Sequence, residues 1–439
     1  MLAVLLRSQQ GGPEQSRRVP VDAGHDFTGK VLFDELAPAT AYAYRAWCDD
    51  GAANQDGEID AAHGRFRTAP SPADRRSVRF VWGGDVAGQN ACRDEKEGYT
   101  VFDRIAELSP DIFIGLGDMI YADDACAPIG RYGNRQVVGP KSPSVDLPGF
   151  WAHWRYNRTD PASQRLLAST AYYAVWDDHE IMNDFGSHRD TLPIAPGRHL
   201  LPIGLQAFLD YQPMMPPRQA PTRLYRRIRW GRQLELFFLD TRQYRDANVL
   251  PDTGLQPKTM LGATQRRWLI DGLVRSDATW KVIVCSVPLS IPTGNDKKGH
   301  DGWAADHQQT GFERELVSIL RELDRQHVRN QVWITTDVHF ATVFRYTPFA
   351  DDPAFRFHEF ITGPLNAGVF PRRDLDTTLH PDRLFFNGPG SAEEIENFDQ
   401  AKTWFNFGVV DIDKEGELTL RIVNGVGKTV YRLALAPQP

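Results

Sequence analysis

The sequence predicts an α/β protein in which mixed or mostly parallel strands form two stacked sheets flanked by helices, preceded by a small partial β-sandwich. Three observations lead there. From Val78 onward, short apolar runs alternate with amphipathic stretches at helical spacing, the pattern of strands covered on both faces. Before Pro70, short apolar runs alternate with turn residues instead. Between the two, Thr68-Ala69-Pro70-Ser71-Pro72 breaks both periodicities.

The expected division is a small β domain over 1–70, a linker over 71–77 and one main domain over 78–439. In the first part, Lys30-Val31-Leu32-Phe33 and the run from Ala41 to Trp47 read as strands. Leu36-Ala37-Pro38-Ala39-Thr40 resembles the loop before a Tyr-rich strand in fibronectin- or immunoglobulin-like sandwiches. Such a domain has about seven strands, and there is room here for about four. In the main domain the candidate core strands are 78–82, 112–116, 172–176, 234–239, 282–287 and 332–336. Helices are expected over 101–108, 264–274 and 312–323; in the last, Phe312, Leu316, Ile319, Leu320 and Leu323 make one apolar stripe. The runs 405–412, 418–423 and 429–435 are split by turn residues and read as hairpins that extend the sheet, too few to bury their own faces.

Composition narrows the function. A net charge of −7 without blocks of like charge argues against a nucleic-acid-wrapping surface. The opening Met1-Leu2-Ala3-Val4-Leu5-Leu6 meets Arg7 too early for a membrane span or a complete signal peptide and reads as a strand. Four cysteines without a CxxC encode neither a disulfide framework nor a thiolate zinc site, although one pair, Cys92 with Cys126, is left open. GxxxxGK[ST], GxSxG, HExxH and a post-strand GxGxxG are all missing, so kinase, serine hydrolase, zincin and dehydrogenase readings lack their parts.

The acids carry the signal. Asp85, Asp118, Asp178, Asp240 and Asp337 each fall at or just past the end of an apolar strand. In a largely parallel sheet those ends share one edge, where α/β folds place ligands. Gly117-Asp118-Met119-Ile120-Tyr121 adds a phenol, Trp176-Asp177-Asp178-His179-Glu180 packs four polar groups against a strand end, and Asp337-Val338-His339 puts Asp and His on one side of an extended segment. Many carboxylates with few imidazoles are the ligand set of hard divalent or ferric ions. Burying so many anions without cations costs many kcal/mol, so a metal centre is the economical explanation.

Phe80-Val81-Trp82-Gly83-Gly84-Asp85, Leu116-Gly117-Asp118-Met119-Ile120-Tyr121, Trp176-Asp177-Asp178-His179-Glu180, Asp240-Thr241-Arg242-Gln243-Tyr244-Arg245 and Thr336-Asp337-Val338-His339 resemble, in order, the motifs of PhoD-type alkaline phosphatases within the calcineurin-like metallophosphoesterases. Gly262-Ala263-Thr264-Gln265 and Asp301-Gly302-Trp303 agree as well. The resemblance implies one metal held by Asp85, Asp118, Tyr121 and His339, and a second held by Asp118, Asp178 and Asp337, with Asp118 bridging. It implies iron with calcium. Because Asp85 stands where the family is expected to carry a cysteine, manganese, zinc or magnesium also fit. Export to the periplasm or outside the cell is a further implication.

The chemistry implied is hydrolysis of small phosphomonoesters or phosphodiesters. Two metals about 3.5–4 Å apart activate a water and stabilise both apical oxygens of an in-line displacement. His179 is the candidate proton donor to the leaving oxygen. Arg155, Arg158 and Arg242 are the candidate phosphate clamps, although Asp240 with Arg242 reads more readily as a buried ion pair. Asp177, Asn183 and Asp184 divide evenly between further ligands and loop polarity. His300, Trp303 and His307, with Lys297 and Lys298, read as a solvated loop rather than a lid. Two other readings compete: a phosphodiesterase or phospholipase D-like enzyme, and a secreted binding protein whose loops are held by calcium.

Overall fold

The computed structural model describes residues 1–49, 61–186, 198–295, 299–305 and 310–438. Strands β1 (Leu2–Ser8), β2 (Gln15–Val19), β3 (Ala41–Cys48) and β4 (Ala61–Arg67) form one antiparallel sheet in the order β2-β1-β3-β4. Among the described residues this region is thus one sheet, and Lys30–Phe33 is not a strand. Lys30 instead extends its ammonium to the carbonyl oxygens of Leu209 and Met214 in the main body. The loop before β3 is tied down as its resemblance suggests, with the Ala37 N–H donating to Tyr42 Oη at 3.0 Å.

The main body runs β5 (Val78–Gly83), α1 (Thr100–Glu107), β6 (Ile112–Leu116), α2 (Leu147–Arg158), α3 (Pro161–Ser169), β7 (Ala171–Val175), α4 (Leu201–Tyr211), β8 (Arg226–Trp230), β9 (Leu234–Phe238), α5 (Gly262–Arg275) and β10 (Trp280–Val284). It continues through the short β11 (Gly294–Asn295) and β12 (Gly299–His300), α6 (Glu313–Arg325), β13 (Gln331–Thr335), β14 (Ala341–Tyr346), β15 (Phe357–Ile361), β16 (Pro381–Asn387), α7 (Phe398–Trp404), β17 (Asn406–Ile412), β18 (Leu418–Asn424) and β19 (Thr429–Leu435).

Two large sheets result. One has the order β19-β18-β17-β5-β6-β7, with β5, β6 and β7 parallel and the C-terminal strands added antiparallel to β5. The other has the order β16-β14-β15-β13-β10-β9-β8, with β9, β10, β13 and β15 parallel.

The two-residue strand period explains the layering. Phe80, Trp82, Ile112 and Ile114 from one sheet meet Leu236, Phe238, Val282, Val284, Val332 and Ile334 from the other in the central core. Their neighbours in sequence point outward. Val81 and Phe113 pack under α1 to α4 with Phe102, Ile105, Trp154 and Phe208, whereas Phe237, Ile283 and Trp333 pack under α5 and α6 with Leu269, Leu316 and Leu320. Continuous apolar strands are therefore required, since both faces of each parallel set are covered.

Cys92 and Cys126 are disulfide-bonded, closing 34 residues of separation. The bond joins the segment after Asp85 to the segment after Tyr121, and both sulfurs lie near the Ala87 carbonyl. Loop-entropy arguments give a closure of this length about 3–4 kcal/mol of stability. Cys92→Ser with Cys126→Ser is therefore expected to lower the unfolding free energy by about 3–4 kcal/mol, measured by denaturant unfolding followed by circular dichroism with the slope fitted for each protein separately.

Candidate metal centre

The parallel strands of both sheets end along one rim, and four of them, β5, β6, β7 and β13, deliver acids there. Asp85 follows β5, Asp118 follows β6, Asp177 and Asp178 follow β7, and Asp337 follows β13. At these positions the chain turns sharply: Asp85, Asp118, Asp337 and His339 adopt positive φ of 63°, 51°, 78° and 61°. Left-handed backbone outside glycine is uncommon and concentrates at functional sites. Gly117 makes the turn after β6 possible; its φ is 103°, and a Cβ there would lie 2.8 Å from that of Asp177.

One group gathers around His339. Its Nδ1 donates to the Gly368 carbonyl, which leaves Nε2 as a lone-pair donor. Nε2 lies 3.0 Å from Tyr121 Oη and 3.5 Å from Asp85 Oδ1, and Tyr121 Oη is 3.5 Å from the same oxygen. Burial lowers the His339 pKa to about 3, and the charges of His179, Arg373 and Arg131 act in the same direction, so the imidazole is neutral. Burial, with Asp177 and Asp178 nearby, raises Asp85 to about 7 despite the hydrogen bond from Thr336 Oγ1 at 2.7 Å.

A second group shares Asp118. Ligand atoms of Asp118, Asp178 and His179 all lie within 4.8 Å of one another, as do those of Asp118, Asp177 and Asp337. Burial and then the neighbouring carboxylates, Asp178 first, push the Asp118 carboxyl well above its ordinary range. Asp337 is raised likewise by burial and the charges of Asp301, Asp177 and Asp178. Oδ2 of Asp337 and Oδ2 of Asp177 are buried without a hydrogen-bond partner among the described residues. Buried carboxylates held this close and left partly unpaired fit a set of cations. With Cys92 bonded to Cys126, its sulfur is unavailable as a thiolate, so the ligand set here is oxygen and imidazole nitrogen.

A model of the PhoD-like phosphatase family matches residues 80–421. The chain belongs to the PhoD-like phosphatase family. Alkaline phosphatase D of Bacillus subtilis (strain 168) is 23% identical over 328 residues, covering 70% of this chain and 52% of that protein. The chain thus spans about half the length of this curated relative. A solved structure of PhoD superposes with a TM-score of 0.74 at 18% identity, over 99% of this chain and 81% of that one. A purple acid phosphatase from yellow lupin (Lupinus luteus) seeds gives a TM-score of 0.59 at 12% identity, over 99% of this chain and 69% of that one. The two-sheet architecture is shared by both.

In this PhoD-like chain two of the expected arginine clamps, Arg155 and Arg158, pair away from the carboxylate cluster, and the third, Arg242, lies within it. Arg155 is half-exposed and paired with Asp26, which also accepts from Tyr211, so it ties the N-terminal region to α2 and α4. Arg158 stacks on Trp154 and Tyr172 and donates to Gln212. Arg242 is wholly enclosed and serves as an internal counter-charge: Nη1 meets Asp301 Oδ2 at 3.0 Å, Nε meets Asp177 Oδ1 at 2.5 Å, and Asp178 lies at 3.7 Å. It is a buried ion pair, but not with Asp240, which accepts from Trp176 Nε1 at 3.0 Å. This arginine offsets the charge of three carboxylates, while its Nη2 is left without a hydrogen-bond partner among the described residues. The charges of Arg131 and Arg373 bear on His339; Arg373 sits 6.0 Å from the ring centre of Phe370, which stacks on His339 at 4.5 Å.

Other residues also gain roles. Glu180 accepts the N–H groups of Asp118, Met119 and Asp177, bracing the turns after β6 and β7 with one carboxylate. Asp123 holds His179 Nδ1 at 2.7 Å, and the His179 ring lies on Tyr121 with centroids 4.1 Å apart. The segment read as a solvated loop is partly core: His300, Asp301 and Trp303 are buried, and His300 Nδ1 meets Thr310 Oγ1 at 2.7 Å. Lys297, Lys298 and His307 lie outside the described residues.

Proposed function

We propose that this chain is a multi-metal phosphoesterase hydrolysing phosphomonoesters, phosphodiesters or both. The observation that carries the reading is a pair of buried ligand groups sharing Asp118 beside a histidine whose tautomer is fixed for coordination. Asp85, Asp118, Tyr121 and His339 would hold one ion, and Asp118, Asp178 and Asp337, with Asp177 alongside, the next. Bound metal ions supply an activated water and offset charge on the phosphoryl group. The oxygen-rich donor set admits iron, calcium, manganese, zinc or magnesium.

The remaining work falls to the chain itself. Asp123 accepts from His179 Nδ1 at 2.7 Å; in the metal-free protein burial opposes protonation of His179, but Asp123 and Asp178 outweigh it and raise its pKa to about 10, which supports His179 as the proton donor to the leaving oxygen. Arg131 and Arg373, whose charges bear on His339, are the proposed receivers of the non-reacting phosphate oxygens. The Cys92–Cys126 bond supports residence in an oxidising compartment, in keeping with export.

The test compares p-nitrophenyl phosphate with bis-p-nitrophenyl phosphate before and after chelation and metal add-back. Turnover that stops on chelation and returns with metal supports the proposal, and the preferred ester separates phosphatase from diesterase. Absence of turnover with every metal tried, together with a melting temperature that falls on chelation, favours the calcium-stabilised binding protein instead.

A further inference from the structure

On α5, away from the carboxylate cluster, lies a groove of about 410 Å³. Its walls carry Thr264, Arg267, Trp268, Asp271 and Arg275 from the helix and Arg227 from the edge strand β8. Residues 267, 271 and 275 fall on one helix face at a spacing of four, so the arginines flank the groove along its length. Three guanidiniums face little acid. Arg275 has Asp271 at 3.6 Å, Arg227 has Glu235 at 3.8 Å, and Arg267 has no acid partner among the described residues. Glu235 is itself shared with Arg229 and Ser276. Trp268 is held in place by Tyr225 and Phe237, with ring centres at 5.0 and 6.1 Å, giving a fixed apolar floor.

In a chain with net charge −7, such a concentration of guanidinium beside an indole is a recognition feature rather than a solvating surface. We propose that this groove binds an extended ligand carrying two or more phosphate or sulfate groups. Arg267 and Arg275 are separated by eight residues of helix, about 12 Å at 1.5 Å per residue. Arginines anchored about two helical turns apart can each pair with a separate oxyanion of one molecule, with its backbone lying over Trp268. The site is independent of the phosphoesterase reading, since none of its residues belongs to the metal cluster.

A sulfated heparin-type hexasaccharide is a suitable probe because it is extended, carries sulfates along its length and is not a phosphoester. Calorimetric titration of the metal-loaded protein at 0.15 M salt is expected to give one site per chain, weakening as salt rises. Arg267→Glu and Arg275→Glu should each weaken it at least tenfold, and Arg267→Gln, which removes charge without reversing it, by a smaller factor. Melting temperature and hydrolysis of p-nitrophenyl phosphate should be unchanged in these exposed-face variants. Equal affinity in Arg267→Glu and the parent, or no binding up to millimolar probe, overturns the proposal. Displacement of the probe by inorganic phosphate at concentrations matching tripolyphosphate would overturn the extended, multi-anion form of it.

Discussion

Asp118→Asn is expected to reduce phosphoester hydrolysis by about a thousandfold or more while leaving a folded protein. The estimate follows from its position: Asp118 belongs to both buried clusters, with Asp178 and His179 and with Asp177 and Asp337, and it is the proposed bridge between the ions; loss of several kcal/mol of metal-borne stabilisation costs a factor of ten per about 1.4 kcal/mol. The variant also has an expected effect on stability that runs the other way. In chelated protein, the Asp118 carboxyl has a pKa raised by burial and by Asp178, Asp177 and Glu180. A group whose folded pKa is raised costs stability once the pH exceeds its unfolded pKa, about 3.9 for Asp. At neutral pH chelated Asp118→Asn should therefore melt above chelated parent, whereas with metal present the order reverses. Differential scanning calorimetry checks both signs, and a variant that is less stable in both states would contradict the cluster as a cation site.

His179→Gln is expected to slow hydrolysis by about a hundredfold to ten-thousandfold for an alkyl phosphate, whose leaving oxygen needs a proton, and far less for p-nitrophenyl phosphate. The imidazole is set for this by Asp123 on Nδ1 and by the Tyr121 ring against its face. Its side chain is 12% exposed, in contrast to the enclosed His339, so it can meet substrate from the mouth of the site. Asp123→Asn keeps the hydrogen bond but removes the charge that raises the His179 pKa, and should cost about tenfold to a hundredfold on the alkyl ester. Steady-state kinetics on the two esters separates the roles. If both esters slow equally and metal content falls, His179 is a ligand rather than a proton donor.

The sequence displayed the rim of the site because parallel strands covered on both faces must be apolar, so an acid closing each one is conspicuous. Asp85, Asp118, Asp178 and Asp337 were legible for that reason, and the structure gathers them with Tyr121 and His339. The C-terminal hairpins were legible too, since strands with one uncovered face must join an existing sheet. Arginine roles were not. Arg155, Arg158 and Arg242 occupy similar local contexts, and only tertiary packing decides that one meets Asp26, one Trp154 and one three buried acids. The same holds for Asp123 and Glu180, whose partners sit on other turns, although an acid two positions after Tyr121 was a signal that went unused. His300 and Trp303 read as a solvated loop because glycine and lysine surround them, whereas both are buried and the neighbouring Asp301 pairs with Arg242.

The most direct measurement is a titration of chelator-stripped protein with metal, following p-nitrophenyl phosphate hydrolysis against equivalents bound. A shared Asp118 predicts no turnover without metal, little at one equivalent, and full activity only as the second ion is taken up. Activity that survives stripping, or that saturates at a single equivalent, would contradict a multi-metal centre built on Asp118.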